Sequence, residues 1–340
     1  MLDRSHQTDL NTPTPQHFNT FLSCDWGTSS FRLTLVLLPS LEVLGGVRND
    51  RGVRATFQAW KEGGGDEAGR VDFFLGVIGE AIAEVEQTLG RSLEGVPVVV
   101  SGMASASIGM LTLPYGELPF AVDGTNITVH RIGTKADFLH EVLVVSGVKS
   151  DNDVMRGEET QLIGSVNGES ASGIEHLYLF PGTHSKHIRV LNGNAISFRT
   201  YMTGEFFELL SSKSILADSV ARGGKMMDAE NLQSFTEGVT AGSGGNVLNG
   251  AFHVRTRALF GQCTPQMNYY FLSGLLIGAE VGELAHKPEL PITITGSEPV
   301  VSLYDHALRS LGFKSTRLVR GEDAVLRGQA GILQRTILTS

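Results

Sequence analysis

The chain has 340 residues, of which 41% are hydrophobic and 19% charged, a balance that excludes a disordered protein and predicts two domains with separate cores. Its net charge of −9 argues against nucleic acid as a partner, because binding a phosphate backbone needs a basic surface. Two cysteines are too few for a disulfide framework, so we expect a cytoplasmic protein. No apolar run approaches the ~20 residues that cross a bilayer, so we expect no membrane partner.

The first half of the chain predicts an α/β domain. Residues 1–20 are polar and indicate a flexible N-terminal tail, and a hairpin follows over residues 21–38. Apolar residues at helical spacing over 71–89 predict a helix, and β-branched runs from Val96 and Val142 predict buried strands. A helix that leads into such strands is typical of an α/β architecture.

The second half begins by repeating the opening pattern. The run LYLFPGTHSKHIRVL from Leu177 again has an apolar strand, a Gly-Thr turn and a second strand. Gly27 and Gly182 differ by 182 − 27 = 155 positions, close to half the chain. We therefore predict two related domains, over residues 21–170 and 171–340.

The remaining elements support that division. Residues 168–173 (GESASG) predict the linker between the domains, and residues 267–284 predict an apolar helix. A strand, a glycine turn and a helix follow from Pro291, and a last helix begins near Gly321.

The tip of the first hairpin predicts a phosphate site. Gly27 lets backbone N–H groups approach phosphate oxygens, Thr28 and Ser29 add hydroxyl donors, and Asp25 can hold Mg²⁺ through water. An ordinary hairpin turn capped by Asp25 is the alternative.

The second hairpin carries a matching turn, Gly182-Thr183-His184-Ser185. Two such turns, one from each domain, can face each other across a cleft and hold a polyphosphate between them. Two unrelated β-turns are the alternative.

Two adjacent carboxylates, Glu158 and Glu159, lie between the phosphate candidates. A kinase needs a carboxylate near the attacking hydroxyl to take its proton, and either residue could serve. At the start of a helix, however, such acids also interact favourably with the helix dipole without any catalytic role.

Two further turns are candidates for ligand contacts. Ser101, Gly102 and Met103 follow a buried strand and predict a substrate loop, since ligands bind beyond the carboxyl ends of strands in α/β sheets. Gly296 and Ser297 could let a flat base lie on the backbone. Plain connections between elements are the alternative for both turns.

Two other kinds of site are not supported. Gly224-Lys225 lacks the upstream glycine and the following hydroxyl of a P-loop. His184 and His187 lack the cysteines or third ligand of a zinc site.

Several segments together resemble the 2-dehydro-3-deoxygalactonokinase family along nearly the whole chain. They are DWGTSSFRL, SGMASASIGM, MRGEETQLIG, PGTHSKH, FRTYMTGE and the C-terminal ITGS. The resemblance implies an α/β protein with the actin-like ATPase (ribonuclease H-like) fold, in which two similar domains enclose a central ligand cleft. It also implies ATP and Mg²⁺ as cofactors, and phosphorylation of 2-dehydro-3-deoxy-D-galactonate at its 6-hydroxyl.

The resemblance also assigns roles to residues. The segment with Asp25, Gly27 and Thr28 is similar to the first phosphate motif of the superfamily, the segment with Gly182, Thr183 and Ser185 to the second, and the Gly296 turn to the adenosine motif. Related sugar kinases carry an aspartate as the base where this chain has Glu158 and Glu159. We favour Glu158 from its offset to Gly164, and leave Glu159 open.

The acid group of such a substrate calls for a positive partner. Arginine binds carboxylates through its two-pronged guanidinium group. Arg32, Arg156 and Arg199 lie beside motifs, and we rank Arg156 and Arg32 first. Surface ion pairing is the alternative for each.

Two other functions remain open at this point. One is a kinase for another sugar acid, and the other is a non-catalytic ATP-binding regulator of the same fold. The presence of Asp25, both Gly-Thr turns and a candidate base argues against the regulator. A small sugar acid is the expected partner, and a homodimer is left open.

Overall fold

The computed structural model describes residues 18–166 and 173–338. Most of the predicted N-terminal tail and all but the last residue of the predicted linker lie outside these ranges. The domain boundary near residue 170 therefore stays a prediction.

The first half contains ten strands and three helices within the described ranges. The strands are β1 Thr20–Trp26, β2 Phe31–Leu37, β3 Glu42–Asn49, β4 Val98–Gly102, β5 Gly116–Glu117, β6 Phe120–Ala121, β7 Val129–Ile132, β8 Val142–Val145, β9 Val148–Lys149 and β10 Val154–Met155. The helices are α1 Val53–Glu62, α2 Arg70–Leu89 and α3 Glu158–Ser165. The predicted hairpin over 21–38 and the helix over 71–89 are confirmed.

The second half contains five strands and six helices within the described ranges. The strands are β11 His176–Phe180, β12 Ser185–Leu191, β13 Asn194–Tyr201, β14 Ile292–Gly296 and β15 Thr316–Arg320. The helices are α4 Thr203–Lys213, α5 Ala229–Ser243, α6 Val247–Leu259, α7 Pro265–Val281, α8 Glu298–Ser310 and α9 Gly321–Leu338. The helix predicted over 267–284 is α7, which ends in a short 3₁₀ turn at Gly282–Leu284.

Each half is built on a mixed sheet of six strands, in the orders β3-β2-β1-β4-β8-β7 and β15-β14-β11-β12-β13-β6. In the first sheet β1, β2 and β3 are antiparallel, whereas β1, β4 and β8 run parallel. The second sheet repeats this with β11, β12 and β13 antiparallel and β11, β14 and β15 parallel. The repeat inferred from the Gly-Thr turns is confirmed, and so is the actin-like α/β fold.

Helices cover both faces of each sheet. On the outer face of the first sheet, Leu33 and Val100 share a hydrophobic core with Ile78 of α2. On the outer face of the second sheet, Leu179 shares a core with Phe235 of α5 and Tyr304 of α8. On the inner faces, α9 packs on the first sheet and α3 on the second. The two sheets therefore enclose a shared central layer of two helices.

Besides α3, which packs on the second sheet, two elements cross from one half to the other. Strand β6, from the first half, pairs with β13 at the edge of the second sheet. Helix α9, from the end of the chain, contributes Ala330, Ile332 and Leu333 to a core with Phe21 and other residues of the first sheet. Neither crossing was evident from hydrophobic periodicity, which reports local structure and not the partner.

Helices α3 and α9 cross at glycines. A Cβ at Gly164 would lie 1.8 Å from the carbonyl oxygen of Ala324, and one at Gly328 would lie 2.0 Å from that of Thr160. Any side chain at these positions would have to push the helices apart.

Within the described ranges, no helix is long and apolar enough to span a membrane.

We predict that Gly164→Ala destabilises the fold by about 1–3 kcal/mol, because the added methyl group has no room between the helices. Gly331→Ala, on the facing helix α9, is the matched control, since its Cβ would meet its nearest neighbour, the side chain of Ile163 on α3, at 3.9 Å. The control should be neutral or slightly stabilising, because alanine favours helix over glycine. Equal thermal unfolding midpoints for the two variants would contradict the tight crossing.

Candidate active site

The first phosphate turn and the predicted substrate loop lie side by side. Strands β1 and β4 are parallel neighbours with Asp25 opposite Ser101 and Trp26 opposite Gly102, so both loops leave the same edge of the sheet. Gly102 has a φ of 92°, and a Cβ there would lie 2.7 Å from the carbonyl oxygen of Trp26. Only glycine fits this position comfortably, which explains its place in the loop.

Helix α3 begins directly against that loop. A Cβ at Gly157, whose φ is 104°, would lie 3.4 Å from the Cα of Gly102. Glu158 is the first residue of the helix. The structure thus brings the candidate base, the substrate loop and the first phosphate turn together.

The second half assembles its turns in the same way. Strands β11 and β14 are parallel neighbours, and a Cβ at Gly296 would lie 3.7 Å from the carbonyl oxygen of Pro181, just before the second phosphate turn. The start of α9 closes the group, since a Cβ at Gly321 would lie 3.3 Å from the Cα of Gly296. The predicted phosphate and adenosine turns are therefore neighbours.

A helix start braces each phosphate turn. At the first turn, the amides of Val53 and Arg54 donate to the carbonyls of Gly27 and Thr28 at 2.9 and 3.1 Å. At the second turn, the amide of Glu205 donates to the carbonyl of Thr183 at 3.1 Å. These bonds fix the backbone of both turns before any ligand arrives.

Asp25 lies partly buried beside several other charges. Its carboxylate pairs with Arg32 at 3.4 Å. Burial raises the pKa of Asp25, Arg32 opposes that change, and the negative charges of Glu322 and Glu158 add to it. A carboxyl in this position would be held ionised by a cation bound next to it.

The two candidate bases occupy different environments. Glu158 keeps 22% of its side chain exposed, and one of its oxygens accepts from the amide of Arg156 at 3.0 Å. Glu159 is 1% exposed, and its carboxyl group accepts from the amide of Gly157 and the hydroxyl of Thr160. Glu158 is therefore the accessible carboxylate of the pair.

Burial controls the protonation of Glu159. It raises the pKa of Glu159 to about 8, the negative charge of Glu158 acts in the same direction, and the hydrogen bonds from Gly157 and Thr160 only partly oppose it. The carboxyl group of Glu159 is thus engaged at the helix start, whereas that of Glu158 is partly exposed, and the catalytic role of either residue stays a prediction.

The predicted carboxylate-binding arginines are dispersed. Arg156 donates to the Tyr115 hydroxyl at 3.2 Å, to the Ser105 hydroxyl at 2.6 Å and to the Leu113 carbonyl at 3.3 Å, and its guanidinium lies 4.1 Å from the Tyr115 ring centre. It holds the substrate loop in shape. Arg32 stays beside the first phosphate turn, paired with Asp25.

Arg199, within the segment FRTYMTGE, lies at a cavity apart from the predicted site residues. It lines a cavity of about 1270 Å³ on β11, β12 and β13, and pairs there with Glu283 at 2.9 Å. None of the predicted phosphate-turn, base or substrate-loop residues lines this cavity.

Some predicted contact residues have their side chains engaged inside the protein. The Ser101 hydroxyl is buried and accepts from the Gln329 amide at 2.8 Å. The Ser185 hydroxyl is buried and donates to Glu280 at 2.6 Å. Gly182 and Thr183 are exposed, as is Ser297 at the start of α8. The ligand contacts of all these residues stay predictions.

Glu280 organises the buried side of the second phosphate turn. Besides Ser185, its carboxylate binds His187 at 2.8 Å, Tyr304 at 2.6 Å and the hydroxyl of Thr203. Burial raises the pKa of Glu280, but the bonds from His187, Ser185 and Thr203 outweigh it and leave the pKa below its ordinary value. A carboxylate thus stays charged behind the turn.

Sequence reasoning missed three residues of this region: Lys186, Glu280 and Gln329. Glu280 had a visible signal, since it is a single acid within the apolar run YYFLSGLLIGAEV of α7. Lys186 lay inside the second phosphate segment, but its direction depends on strand register. Gln329 had no signal, because its partners, the Ser101 hydroxyl and the carbonyl of Cys24, are 228 and 305 positions away along the chain.

Comparisons with known proteins place the chain in one family. The family model described as 2-keto-3-deoxy-galactonokinase matches residues 25–332. The 2-dehydro-3-deoxygalactonokinase of Escherichia coli K12 is 32% identical over 249 residues, covering 70% of this chain and 78% of the relative. A candidate 2-dehydro-3-deoxygalactonokinase of Rhizobium meliloti 1021 is 31% identical over 316 residues, covering 91% and 94%.

A solved structure is similar as well. The crystal structure of a candidate 2-dehydro-3-deoxygalactonokinase from Sinorhizobium meliloti has a TM-score of 0.75 and 28% identity, covering 93% of this chain and 99% of that chain. The whole architecture is shared, not one domain alone.

We predict that Glu159→Gln gains stability relative to wild type as the pH rises from 5 to 8. A carboxyl whose pKa is raised by folding stabilises the protein fully below its unfolded pKa of ~4.3, and that contribution is lost as the pH rises toward about 8. Glutamine does not titrate, so the difference should change by at least about 1 kcal/mol. Chemical denaturation at several pH values measures it.

The exposed Glu289→Gln is the control for this series, with 79% of its side chain in solvent. Its stability should follow wild type at every pH. If the Glu159→Gln curve also runs parallel to wild type, the carboxyl is ionised in the fold and the prediction is wrong.

Proposed function

The chain belongs to the 2-keto-3-deoxy-galactonokinase family, and from that premise we propose that it transfers the γ-phosphoryl group of ATP to the 6-hydroxyl of 2-dehydro-3-deoxy-D-galactonate. The products would be 2-dehydro-3-deoxy-6-phospho-D-galactonate and ADP, as a step in galactonate breakdown. One observation carries the proposal at the level of residues: an accessible carboxylate, Glu158, lies where the phosphate turns and the substrate loop meet.

Glu158 acts as the general base in this proposal. Phosphoryl transfer needs little covalent help from the protein, so positioning and proton removal are its main tasks. Glu158 is held by the amide of Arg156 and keeps part of its carboxylate open to the cleft. The acceptor hydroxyl would give its proton to this carboxylate as its oxygen attacks phosphorus.

The two braced turns hold the nucleotide phosphates. Gly27, Thr28 and Ser29 would offer donors from one side and Gly182 and Thr183 from the other. The neighbouring turn at Gly296 and Ser297 would lie under the adenosine. The support for this division is the matched position of both turns at the first hairpin of each sheet.

The residues present fit Mg²⁺ in the manner that this ion prefers. Among residues 18–166 and 173–338 no three His, Cys, Asp or Glu side chains are grouped to hold a metal, and Asp25 is a single partly buried carboxylate beside the first turn. Mg²⁺ usually binds through one or two carboxylates, waters and substrate phosphates. Asp25 would hold the ion, which when bound would neutralise phosphate charge.

Binding of the sugar acid would depend on the loop after β4. Arg156 donates hydrogen bonds to Ser105, Tyr115 and the carbonyl of Leu113, so it would contribute by fixing the shape of this loop. Arg32 has one nitrogen paired with Asp25 at 3.4 Å, and 31% of its side chain is exposed beside the first phosphate turn. Arg32 is therefore the better placed of the two to meet a carboxylate.

We predict that Glu158→Gln lowers kcat by about 10²–10⁴, the usual contribution of a positioned general base. Glu159→Gln should lower kcat far less, because its side chain is buried against Gly157 and Thr160. A coupled assay of ADP release measures both variants. The opposite order of effects would move the base to Glu159.

The substrate is tested with a panel of 2-keto-3-deoxy acids, aldonic acids and sugars in the presence of Mg-ATP. We expect turnover on 2-dehydro-3-deoxy-D-galactonate to exceed that on its gluconate-derived epimer. Preference for another acid would support the kinase activity but contradict the proposed substrate and its place in galactonate breakdown. Absence of turnover with ATP bound would favour a regulator instead.

A further inference from the structure

Lys186 is a buried lysine at the junction of the two halves. Its side chain is 6% exposed, and its Nζ lies 3.4 Å from an oxygen of Glu158 and 3.2 Å from the carbonyl oxygen of His184. Burying an ammonium group costs free energy unless partners or a function compensate for it. The position therefore needs an explanation.

The network behind the second phosphate turn does not use this lysine. Successive side chains of a strand point to opposite faces, and Ser185 and His187 on β12 both bind Glu280. Lys186 points to the other face, toward Glu158 at the start of α3. Its ammonium has three N–H donors, whereas the described residues give it one carbonyl acceptor and one carboxylate.

We propose that Lys186 is a catalytic residue of this kinase, whose ammonium group binds the phosphoryl group while it is transferred. The inference rests on the function proposed above and extends it, since it adds a residue to that site. Two features make Lys186 suitable. Its backbone lies next to the turn that would hold the phosphates, and its ammonium group lies beside the carboxylate that would deprotonate the acceptor.

The chemistry at this point is charge neutralisation. The acceptor oxygen forms its bond to γ-phosphorus while the bond from γ-phosphorus to the bridging oxygen breaks, and that electron pair leaves with ADP. The hydroxyl proton goes to Glu158. The ammonium group of Lys186 donates to the oxygens of the transferred group and balances their charge, which is where preorganised donors act most strongly.

The alternative is that Lys186 only positions Glu158. That role would affect turnover without making binding sensitive to the γ-phosphate. If Lys186 contacts the γ-phosphate directly, its removal would weaken the binding of a non-hydrolysable ATP analogue and leave ADP binding almost unchanged. The comparison of the two nucleotides therefore separates the alternatives.

The experiment uses full-length Lys186→Met, Lys186→Arg and, as a matched control, Lys314→Met. Lys314 forms an ion pair with Glu289 at the same 3.4 Å, but both side chains are 79% exposed. Titration calorimetry measures ADP and the ATP analogue, the coupled assay measures kcat, and thermal unfolding checks the fold.

For Lys186→Met we expect kcat to fall by about 10²–10³, analogue binding to weaken by about tenfold, and ADP binding to stay within about twofold. Lys186→Arg should recover part of the loss, because it retains the charge, and Lys314→Met should match wild type. Equal effects on the analogue and ADP, or a kcat within about threefold of wild type, would overturn the proposal.

A failure of the proposed function would look different. The wild type would then turn over none of the acids, while the nucleotide comparison would still report whether Lys186 contacts the γ-phosphate. If Lys186→Met does not fold, Lys186→Arg and a Lys186→Gln variant carry the same comparison.

Discussion

The close crossing of α3 and α9 is the constraint on which the rest of the structure depends. The helices can approach only because Gly164 and Gly328 leave the opposing carbonyl oxygens unobstructed. Each helix packs on the inner face of one sheet and begins at the glycine turns of a motif strand. Packing at the crossing therefore sets where Glu158 and the start of α9 lie relative to the turns, so steric fit far from the chemistry fixes the geometry of the cleft.

Buried polar side chains connect this frame to the site. Gln329 of α9 donates to the carbonyl of Cys24 and the hydroxyl of Ser101, beneath the first turn and the substrate loop. Glu280 of α7 receives hydrogen bonds from Ser185 and His187, beneath the second turn. Buried donors and carboxylates are costly unless they are satisfied, so the bonds of the Gln329 amide nitrogen and of the Glu280 carboxylate specify one arrangement of strand and helix on each side.

The carboxylates around the first phosphate turn favour the binding of cations and hydrogen-bond donors. Asp25 lies in the field of Glu158 and Glu322 as well as that of Arg32, and burial already raises its pKa. Such a collection of carboxylates repels a polyphosphate unless cations accompany it. A metal ion at Asp25 and the ammonium of Lys186 would supply that charge at the two ends of the site.

The sequence by itself determined the local elements, the repeated Gly-Thr hairpins and the five short motifs, because turn chemistry and apolar spacing act over a few residues. It also determined that Glu158 and Glu159 were candidate bases. Only the tertiary structure distinguished them by burial, engaged Arg156 with its own loop, and placed Arg199 at a cavity that none of the predicted site residues lines. The crossing of β6 and α9 between the halves and the direction of Lys186 depend on long-range packing and strand register, which no local pattern encodes.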